Sequence, residues 1–151
     1  DVYGEFSLSG SLFLDYRNAR DFTDSYSLIY GHHMEGGVMF GALASFAEQD
    51  YFQDHATGTL YLPDRTCRIE FFACFQADAY DERVFTPGAL PESELSGLLA
   101  WVREHALQYR EIGVTEQDQI LALSTCSEAS TNARTILMGR LEPFYENEGG
   151  D

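Results

Sequence analysis

The chain has 151 residues, of which 44% are hydrophobic and 14% aromatic, and this composition favours one domain with a packed core over a disordered chain. Its 25 acidic residues against nine lysines and arginines give a net charge of −16, which argues against nucleic acid and anionic lipid surfaces as partners. No run of the roughly 18–20 apolar residues that a bilayer-spanning helix needs occurs in the sequence.

Short segments of β-forming residues, bounded by turn residues, make up most of the chain. The aromatic-rich segment at 68–75 is predicted to lie in the centre of the sheet. Together these segments predict strands at 11–16, 27–30, 59–62, 68–75, 120–125 and 135–138.

Two segments with apolar residues at helical spacing interrupt the strands. The first begins at Val38. The second is predicted to run from Glu92 to Arg110, with acids in its first turn and Arg110 in its last, as the helix dipole favours. Gly113 is predicted to end this second helix.

This alternation of many strands with two helices predicts a mainly β (α+β) fold, either a barrel or a sandwich with helical connections. The chain shows no internal repeat and no low-complexity linker, so residues 1–151 are expected to form a single domain. The acidic, glycine-ended segment 142–151 is expected to be a frayed tail.

The three cysteines differ in their surroundings. Cys67 and Cys74 are seven positions apart in one predicted strand, which would put them on opposite faces and too far apart for a disulfide. Both are interpreted as small buried hydrophobic residues. Cys126 alone would be interpreted in the same way, but it follows the apolar strand 120–125 and precedes a polar loop, which favours an exposed, functional thiol.

A histidine and an arginine at the edges of other strands form a candidate catalytic set with Cys126. A thiolate near neutral pH needs a neighbouring cation, which His32 and Arg134 could each supply. Because a guanidinium does not lose its proton, Arg134 suits a clamp for negative charge, and His32 is left to move protons. His33 is adjacent, so if the strand continues only one of the two imidazoles faces Cys126.

The adjacent histidines could instead indicate a metal site, with His55 or Cys126 as further ligands. No second cluster with zinc-ligand spacing occurs, so neither a metal nor another cofactor is expected. His55 and His105 are expected on helical or loop surfaces.

Three groups of residues occur in order along the chain: Phe13-Leu-Asp-Tyr-Arg-Asn18, Ile29-Tyr-Gly-His-His-Met34 followed by Gly37-Val-Met-Phe40, and Leu123-Ser-Thr-Cys126 with Asn132-Ala-Arg134. These groups resemble those of class B sortases, and the resemblance covers nearly the whole chain. A long helix ahead of the cysteine strand is also typical of that class. The resemblance implies a sortase-type β-barrel with inserted helices.

The resemblance also implies an activity, that of a cysteine transpeptidase at the extracellular face of the cell membrane of a Gram-positive bacterium. By this resemblance Cys126 is the nucleophile, His32 the general acid and base, and Arg134 the clamp for the oxyanion or substrate. Ser124 and Thr125 would line the peptide groove. The expected substrate is a secreted surface protein or pilin with a sorting signal similar to L-P-x-T-G or N-P-x-T-x, cleaved after the threonine. The expected acceptor is an amine of a peptidoglycan precursor or a pilin lysine.

The chain departs from the family pattern at its beginning, because only about a dozen residues precede Phe13. The family has a helical segment and one or two strands in that place. The chain is therefore expected to be truncated, without its N-terminal strands and without the membrane anchor that would provide its only membrane contact. The barrel would then have an open edge.

Two alternative functions remain open at the level of sequence. One is a cysteine peptidase in which water resolves the acyl-enzyme. The other is a non-catalytic, surface-binding β domain, which the strong acidity and the aromatic content fit equally well.

Overall fold

A computed structural model describes residues 5–8, 13–31, 42–125 and 132–147. Within these residues nine strands form one sheet. The strands are β1 Glu5–Leu8, β2 Phe13–Leu14, β3 Tyr26–Gly31, β4 Thr57–Tyr61, β5 Arg65–Asp78, β6 Gln108–Tyr109, β7 Ile120–Thr125, β8 Ala133–Leu141 and β9 Tyr145–Glu146. Their order across the sheet is β1-β4-β5-β8-β7-β3-β2, and β6 and β9 also pair with β5.

The predicted strands are confirmed with shifted ends. The central segment at 68–75 forms part of β5, which extends beyond both predicted ends and pairs with four other strands. The strand predicted at 120–125 has the same bounds in the structure. The strand predicted at 11–16 contributes only Phe13–Leu14, because Asp15 begins a turn and residues 11–12 lie outside the described residues.

Helical segments lie in the connections between the strands. A 3₁₀ helix, Ala42–Ala47, and helix α1, Gln49–Asp54, occupy the first predicted helical segment, whose positions 38–41 lie outside the described residues. The later helices are α2, Glu82–Phe85, which the sequence pattern did not predict, and α3, Glu92–His105. Within the described ranges no helix has the length and apolar character needed to cross a membrane.

The predicted end of the second helix is wrong. Helix α3 ends at His105 and not at Arg110, because the following residues pair with the sheet. The backbone N–H of Leu107 donates to a β5 carbonyl at 2.8 Å, and β6 then pairs antiparallel with β5. Gly113, with φ of +77°, lies in the loop beyond β6. Pairing with a distant strand therefore overrode helical spacing.

Arg110 has a structural role different from that of a charge at a helix end. Its guanidinium donates to the Phe71 carbonyl at 2.6 Å and to the Phe52 carbonyl, and lies 4.2 Å from the centre of the Phe52 ring. Burial lowers the pKa of Arg110. Arg110 therefore ties the end of α1 to β5.

The side chains of the sheet alternate between two apolar clusters, as the period of a strand requires. The first core cluster includes residues of the 3₁₀ helix and α1, so these segments cover one face of the sheet. The second core cluster includes Leu95, Leu98 and Val102 of α3, which covers the other face. The fold is therefore a sheet with helical segments on both faces.

The prediction that Cys67 and Cys74 lie on opposite faces is wrong. Both belong to the first core cluster. The register between β5 and β8 shifts between Phe71 and Ala73, so Phe72 is an extra residue that reverses the alternation. Both cysteines are buried and neither forms a disulfide, which confirms the interpretation that they are small core residues.

Two expectations about the chain ends need correction. A strand does precede Phe13, because β1 pairs in parallel with β4, from Glu5 opposite Thr57 onward. The predicted frayed tail is wrong as far as residue 147. Strand β9 pairs with β5, and the side-chain amide of Asn147 donates to the carbonyls of Leu62 and Pro63, at 3.1 Å in each case. Residues 148–151 lie outside the described residues.

Candidate active site

Three neighbouring strands have their ends at one edge of the sheet. Strands β3 and β7 run parallel, and their last residues, Gly31 and Thr125, are paired. Strand β8 is antiparallel to β7, so β8 begins where β7 ends, with Ser124 opposite Ile136. We refer to the ends of β3 and β7 together with the beginning of β8 as the site edge.

Two predicted catalytic residues adjoin the site edge in the sequence but lie outside the described residues. His32 directly follows the last residue of β3, and Cys126 directly follows the last residue of β7. His33 lies outside the described residues as well. The roles assigned to the thiol and the imidazole therefore remain predictions.

Arg134, the predicted clamp, is part of the site edge. It is the second residue of β8, is partly exposed, and pairs with Ala77 of β5. Its Nη1 donates to the carbonyl of the preceding Ala133 at 3.2 Å. The structure thus brings the cation to the same edge at which β3 and β7 end, and its action on an oxyanion remains a prediction.

Ser124 and Thr125 fasten the end of β7. Ser124 has no exposed surface, and its hydroxyl donates to the Thr125 carbonyl at 3.0 Å. The Thr125 hydroxyl oxygen accepts from the backbone N–H of Thr135 on β8 at 3.1 Å. These bonds hold the strand end in place. That the two residues line a peptide groove stays a prediction, for which the partly exposed Thr125 has the available surface.

A charged cluster to which the sequence assigned no role lies beside β3. Asp15 is 5% exposed, and its carboxylate accepts from the backbone N–H of Arg17 at 2.9 Å and from Arg17 Nε and Nη2 at 2.8 and 2.9 Å. The Tyr30 hydroxyl donates to the same carboxylate at 2.9 Å. Arg17 Nη2 also donates to the carbonyl of Phe85, the last residue of α2, at 3.0 Å. We call Asp15, Arg17 and Tyr30 the Asp15 cluster.

Two members of the cluster, Asp15 and Tyr30, have defined protonation states near neutral pH. Burial alone would raise the pKa of Asp15, but hydrogen bonds from Arg17 and Tyr30 outweigh burial and hold that pKa below its ordinary value. Burial, followed by the bond to Asp15, raises the pKa of Tyr30 to about 12. Asp15 is therefore an anion and Tyr30 a neutral donor. The sequence signal for this arrangement is the Asp-x-Arg spacing.

The Asp15 cluster lines an open depression of about 610 Å³ beside β3. Tyr16, at its rim, is 88% exposed, and the Arg17 guanidinium lies 5.2 Å from the centre of its ring. The side-chain amide of Asn18, buried below, donates to the Tyr26 carbonyl at 2.8 Å. The depression thus has a hydrogen-bonded floor and a mixed aromatic and cationic rim.

The two described histidines stack on aromatic rings at helix ends. His55 lies on Tyr51 with ring centres 3.9 Å apart, and His105 lies on Trp101 with ring centres 4.5 Å apart. Each also shares a hydrogen bond with the backbone carbonyl of that same residue at 2.8 Å. His105 is exposed and His55 partly exposed, as expected. The described part of the chain contains no group of three His, Cys, Asp or Glu side chains that could hold a metal ion.

Solved structures of other proteins match this architecture. The chain is 38% identical to the sortase B of the Streptococcus pneumoniae type II pilus, with a TM-score of 0.78 over 87% of this chain and 75% of that chain. It is 39% identical to a Streptococcus pyogenes class B sortase involved in pilus biogenesis, with a TM-score of 0.68 over 89% of this chain and 73% of that chain. The chain belongs to the class B sortase family.

Curated relatives agree with this assignment. The chain is 28% identical over 136 residues to the sortase B of Listeria monocytogenes. No family model matches the chain. This class B sortase chain spans 54% and 58% of the lengths of the two curated sortase B proteins that it matches. The predicted fold class, mainly β with inserted helices and of the sortase type, is confirmed.

Proposed function

We propose that this class B sortase is a cysteine transpeptidase that cleaves a C-terminal sorting signal after threonine and transfers the protein to an amine. Family membership supports this activity. The proposed groups are Cys126 as nucleophile, His32 as general acid and base, and Arg134 as oxyanion clamp, with Ser124 and Thr125 beside the peptide groove.

One observation carries the proposal. It is the pairing of β3 with β7 and of β7 with β8, the strands near whose ends the three catalytic candidates occur in the sequence. One position beyond the last pair of β3 and β7, the sequence reaches His32 and Cys126. Two positions beyond the last pair of β7 and β8, Ser124 with Ile136, it reaches Cys126 and Arg134. The two registers come from separate strand pairs, and their agreement supports the proposal that the three candidates act together.

The chemistry then follows from the properties of each group. The Cys126 thiolate attacks the carbonyl carbon of the threonine, and Arg134 donates hydrogen bonds to the resulting oxyanion. The C–N bond breaks, His32 protonates the leaving amine, and the threonine acyl group remains as a thioester on Cys126. An acceptor amine then attacks the thioester and loses its proton to His32, and the C–S bond breaks to restore the thiolate.

The acceptor that we favour is a pilin lysine rather than a peptidoglycan precursor. Two relatives with 38% and 39% identity are described as pilus-associated, and this supports the choice. The donor would be a secreted surface protein or pilin, so the proposed location is the extracellular face of the membrane of a Gram-positive bacterium.

The decisive experiment uses fluorophore–quencher peptides that carry N-P-x-T-x or L-P-x-T-G. We expect cleavage after the threonine and, by mass spectrometry, an acyl adduct on Cys126. Cys126→Ala should abolish both, and Cys74→Ala, which removes a buried thiol in the same chain, should retain both. Turnover by Cys126→Ala would refute the proposal.

A second set of reactions identifies the acceptor amine. Peptides with one lysine, triglycine and water are compared as acceptors under the same conditions. All nine basic residues of the chain are arginines, so every lysine amine in the assay comes from the added peptide. Transfer to the lysine peptide supports the pilin proposal. Hydrolysis with no transfer to any amine would indicate a cysteine peptidase, and neither reaction would indicate a non-catalytic binding domain.

A further inference from the structure

We propose that Asp15 and Arg17 are positioning residues that set the catalytic geometry through the hydroxyl of Tyr30. This inference rests on the proposed function, since it concerns the site that contains Cys126 and His32. Neither Asp15 nor Arg17 touches the reacting atoms in this proposal. They act by fixing the side chain that supports the end of β3.

Tyr30 lies two levels below the proposed catalytic row, with the pair of Gly31 and Thr125 between them. It pairs with Ser124, and Ser124 pairs with Ile136, so these three residues form the row that precedes the site edge. Tyr30 is the aromatic residue of β3 nearest to the end of the strand that adjoins His32 in the sequence. We therefore expect the orientation of the Tyr30 ring to affect the position of the end of β3, which adjoins the proposed site.

The Asp15 cluster fixes that ring from outside the sheet. The Asp15 carboxylate accepts the Tyr30 hydroxyl at 2.9 Å and is held by the Arg17 guanidinium through two oxygens. Arg17 in turn donates to the Phe85 carbonyl at the end of α2. The backbone N–H of Asp15 donates to the Leu28 carbonyl of β3 at 2.9 Å, and this bond holds Asp15 beside the strand. Charge-assisted bonds of this kind are strong and directional.

A second Asp-x-Arg unit shows what is special about the first. Asp81 accepts from the backbone N–H, Nε and Nη2 of Arg83 at 3.0, 3.2 and 3.2 Å, which is the same set of three bonds. That unit caps the beginning of α2, and within the part of the chain that the structure describes no tyrosine hydroxyl donates to it. The Asp15 unit differs by its bond to Tyr30, and this difference supplies a matched control.

The test measures how fast iodoacetamide alkylates Cys126 in the folded protein at one neutral pH. This rate reports the thiolate that the catalytic cations maintain, and it requires no knowledge of the substrate. Cys67 and Cys74 are buried and their thiol pKa values are raised to about 11 and about 12, so they add no background. We expect Asp15→Asn to slow alkylation about tenfold, because a charge-assisted hydrogen bond is lost, and Asp81→Asn to leave it unchanged.

A double-mutant cycle tests whether Asp15 acts through Tyr30. Tyr30→Phe keeps the ring and removes the hydroxyl. If Asp15 works through that hydroxyl, Asp15→Asn should slow alkylation in the wild type but add little in the Tyr30→Phe background. With a cleavable sorting-signal peptide the same variants should lower kcat and leave KM nearly unchanged, because the cluster binds no substrate.

Several results would overturn the inference. Alkylation of Asp15→Asn at the wild-type rate excludes a positioning role, and equal slowing by Asp81→Asn indicates a general loss of stability. Additive effects in the cycle exclude action through Tyr30. If Asp15→Asn fails to fold, the alkylation rate of Tyr30→Phe decides. A rate below that of the wild type supports the inference, and the wild-type rate excludes it. A wild-type protein that alkylates fast but cleaves no peptide refutes the proposed function itself, and the catalytic role of Asp15 and Arg17 falls with it.

Discussion

At the scale of single residues, burial determines how the two described cysteines behave. Neither Cys67 nor Cys74 has exposed surface, and Cys67 Sγ also donates to the Glu142 carbonyl at 2.9 Å. Burial raises the pKa of Cys67 to about 11 and that of Cys74 to about 12, from an ordinary value of 9.0. Both thiols are therefore protonated at neutral pH and are poor nucleophiles.

We predict that the free energy of unfolding falls as the pH rises above 9. In the unfolded chain both thiols ionise near pH 9, whereas the folded protein retains their protons up to about pH 11 and 12. The folded state thus binds more protons in this window, and unfolding becomes easier by about 1 kcal/mol per thiol at pH 10. Urea-unfolding midpoints measured between pH 8 and pH 10 check this.

The matched control is the double variant Cys67→Ala/Cys74→Ala. It should be less stable than the wild type at pH 8, because core volume is lost, but its midpoint should fall less steeply up to pH 10. Parallel slopes for the two proteins would show that the buried thiols do not cause the alkaline loss.

The residue roles differ in how far the sequence predicts them. Burial of Cys67 and Cys74 follows from their apolar segment and could be predicted. The bond between Asp15 and Tyr30 joins residues fifteen positions apart and depends on the turn after β2, so the Asp-x-Arg spacing alone does not reveal it. The same holds for Arg110, whose partners lie on α1 and β5.

At the scale of elements, the irregularity in β5 determines which residues face each core. Gly139 on β8 lies opposite Phe71, next to the register shift. A Cβ atom at Gly139 would lie 2.6 Å from Ile69 Cγ2, closer than real Cβ atoms approach, and 3.0 Å from the Glu70 carbonyl oxygen, which is an unusually tight contact. β5 and β8 therefore pack so closely at this point that a larger residue must displace a neighbour.

We predict that Gly139→Ala destabilises the protein by about 1–3 kcal/mol, because the added methyl group overpacks the two strands. Gly97 in α3 is the matched control, since a Cβ there meets nothing within 4 Å. Gly97→Ala should stabilise by about 0.5–1 kcal/mol through helix propensity. Chemical denaturation of both variants gives the comparison, and a neutral Gly139→Ala would contradict the close approach.

Element type could be predicted where periodicity is long, and element ends could not. The strand at 120–125 and the start of α3 at Glu92 match the structure, because an apolar run and acidic residues in a first helical turn are local signals. The end of α3 depends on the pairing of β6 with β5. The face on which Cys74 lies depends on an extra residue in β5. Neither is visible in local sequence. Helix α2 has only four residues, too few for a period.

At the scale of the whole molecule, charge is the dominant feature. The net charge of −16 is spread over a chain with nine arginines, several of which are paired with acids. Arg140, for example, contacts both Glu70 at 2.7 Å and Asp118 at 3.5 Å. The unpaired excess of acids repels itself and opposes the compact state.

We predict that added salt raises the melting temperature. At low ionic strength repulsion acts over about 30 Å, and at about 0.15 M salt over only about 8 Å, so most of the gain should occur below that concentration. Calorimetry in increasing NaCl measures the effect. Sucrose at matched osmolality serves as the control, since it leaves charge repulsion unscreened. A melting temperature that is flat or falls in NaCl would argue against self-repulsion.

The parallel pairing of β3 with β7 has a consequence for the order of folding. Tyr26 pairs with Ile120, so β3 and β7 cannot pair until the intervening segments, which include β4, β5, β6 and α3, have been synthesised. Contacts between such distant parts of a chain carry a large loop-closure cost and form slowly. The segments that end in the proposed imidazole and the proposed thiol therefore meet late. In the proposed site, the thiol would therefore gain its activating partner only after β3 and β7 have paired.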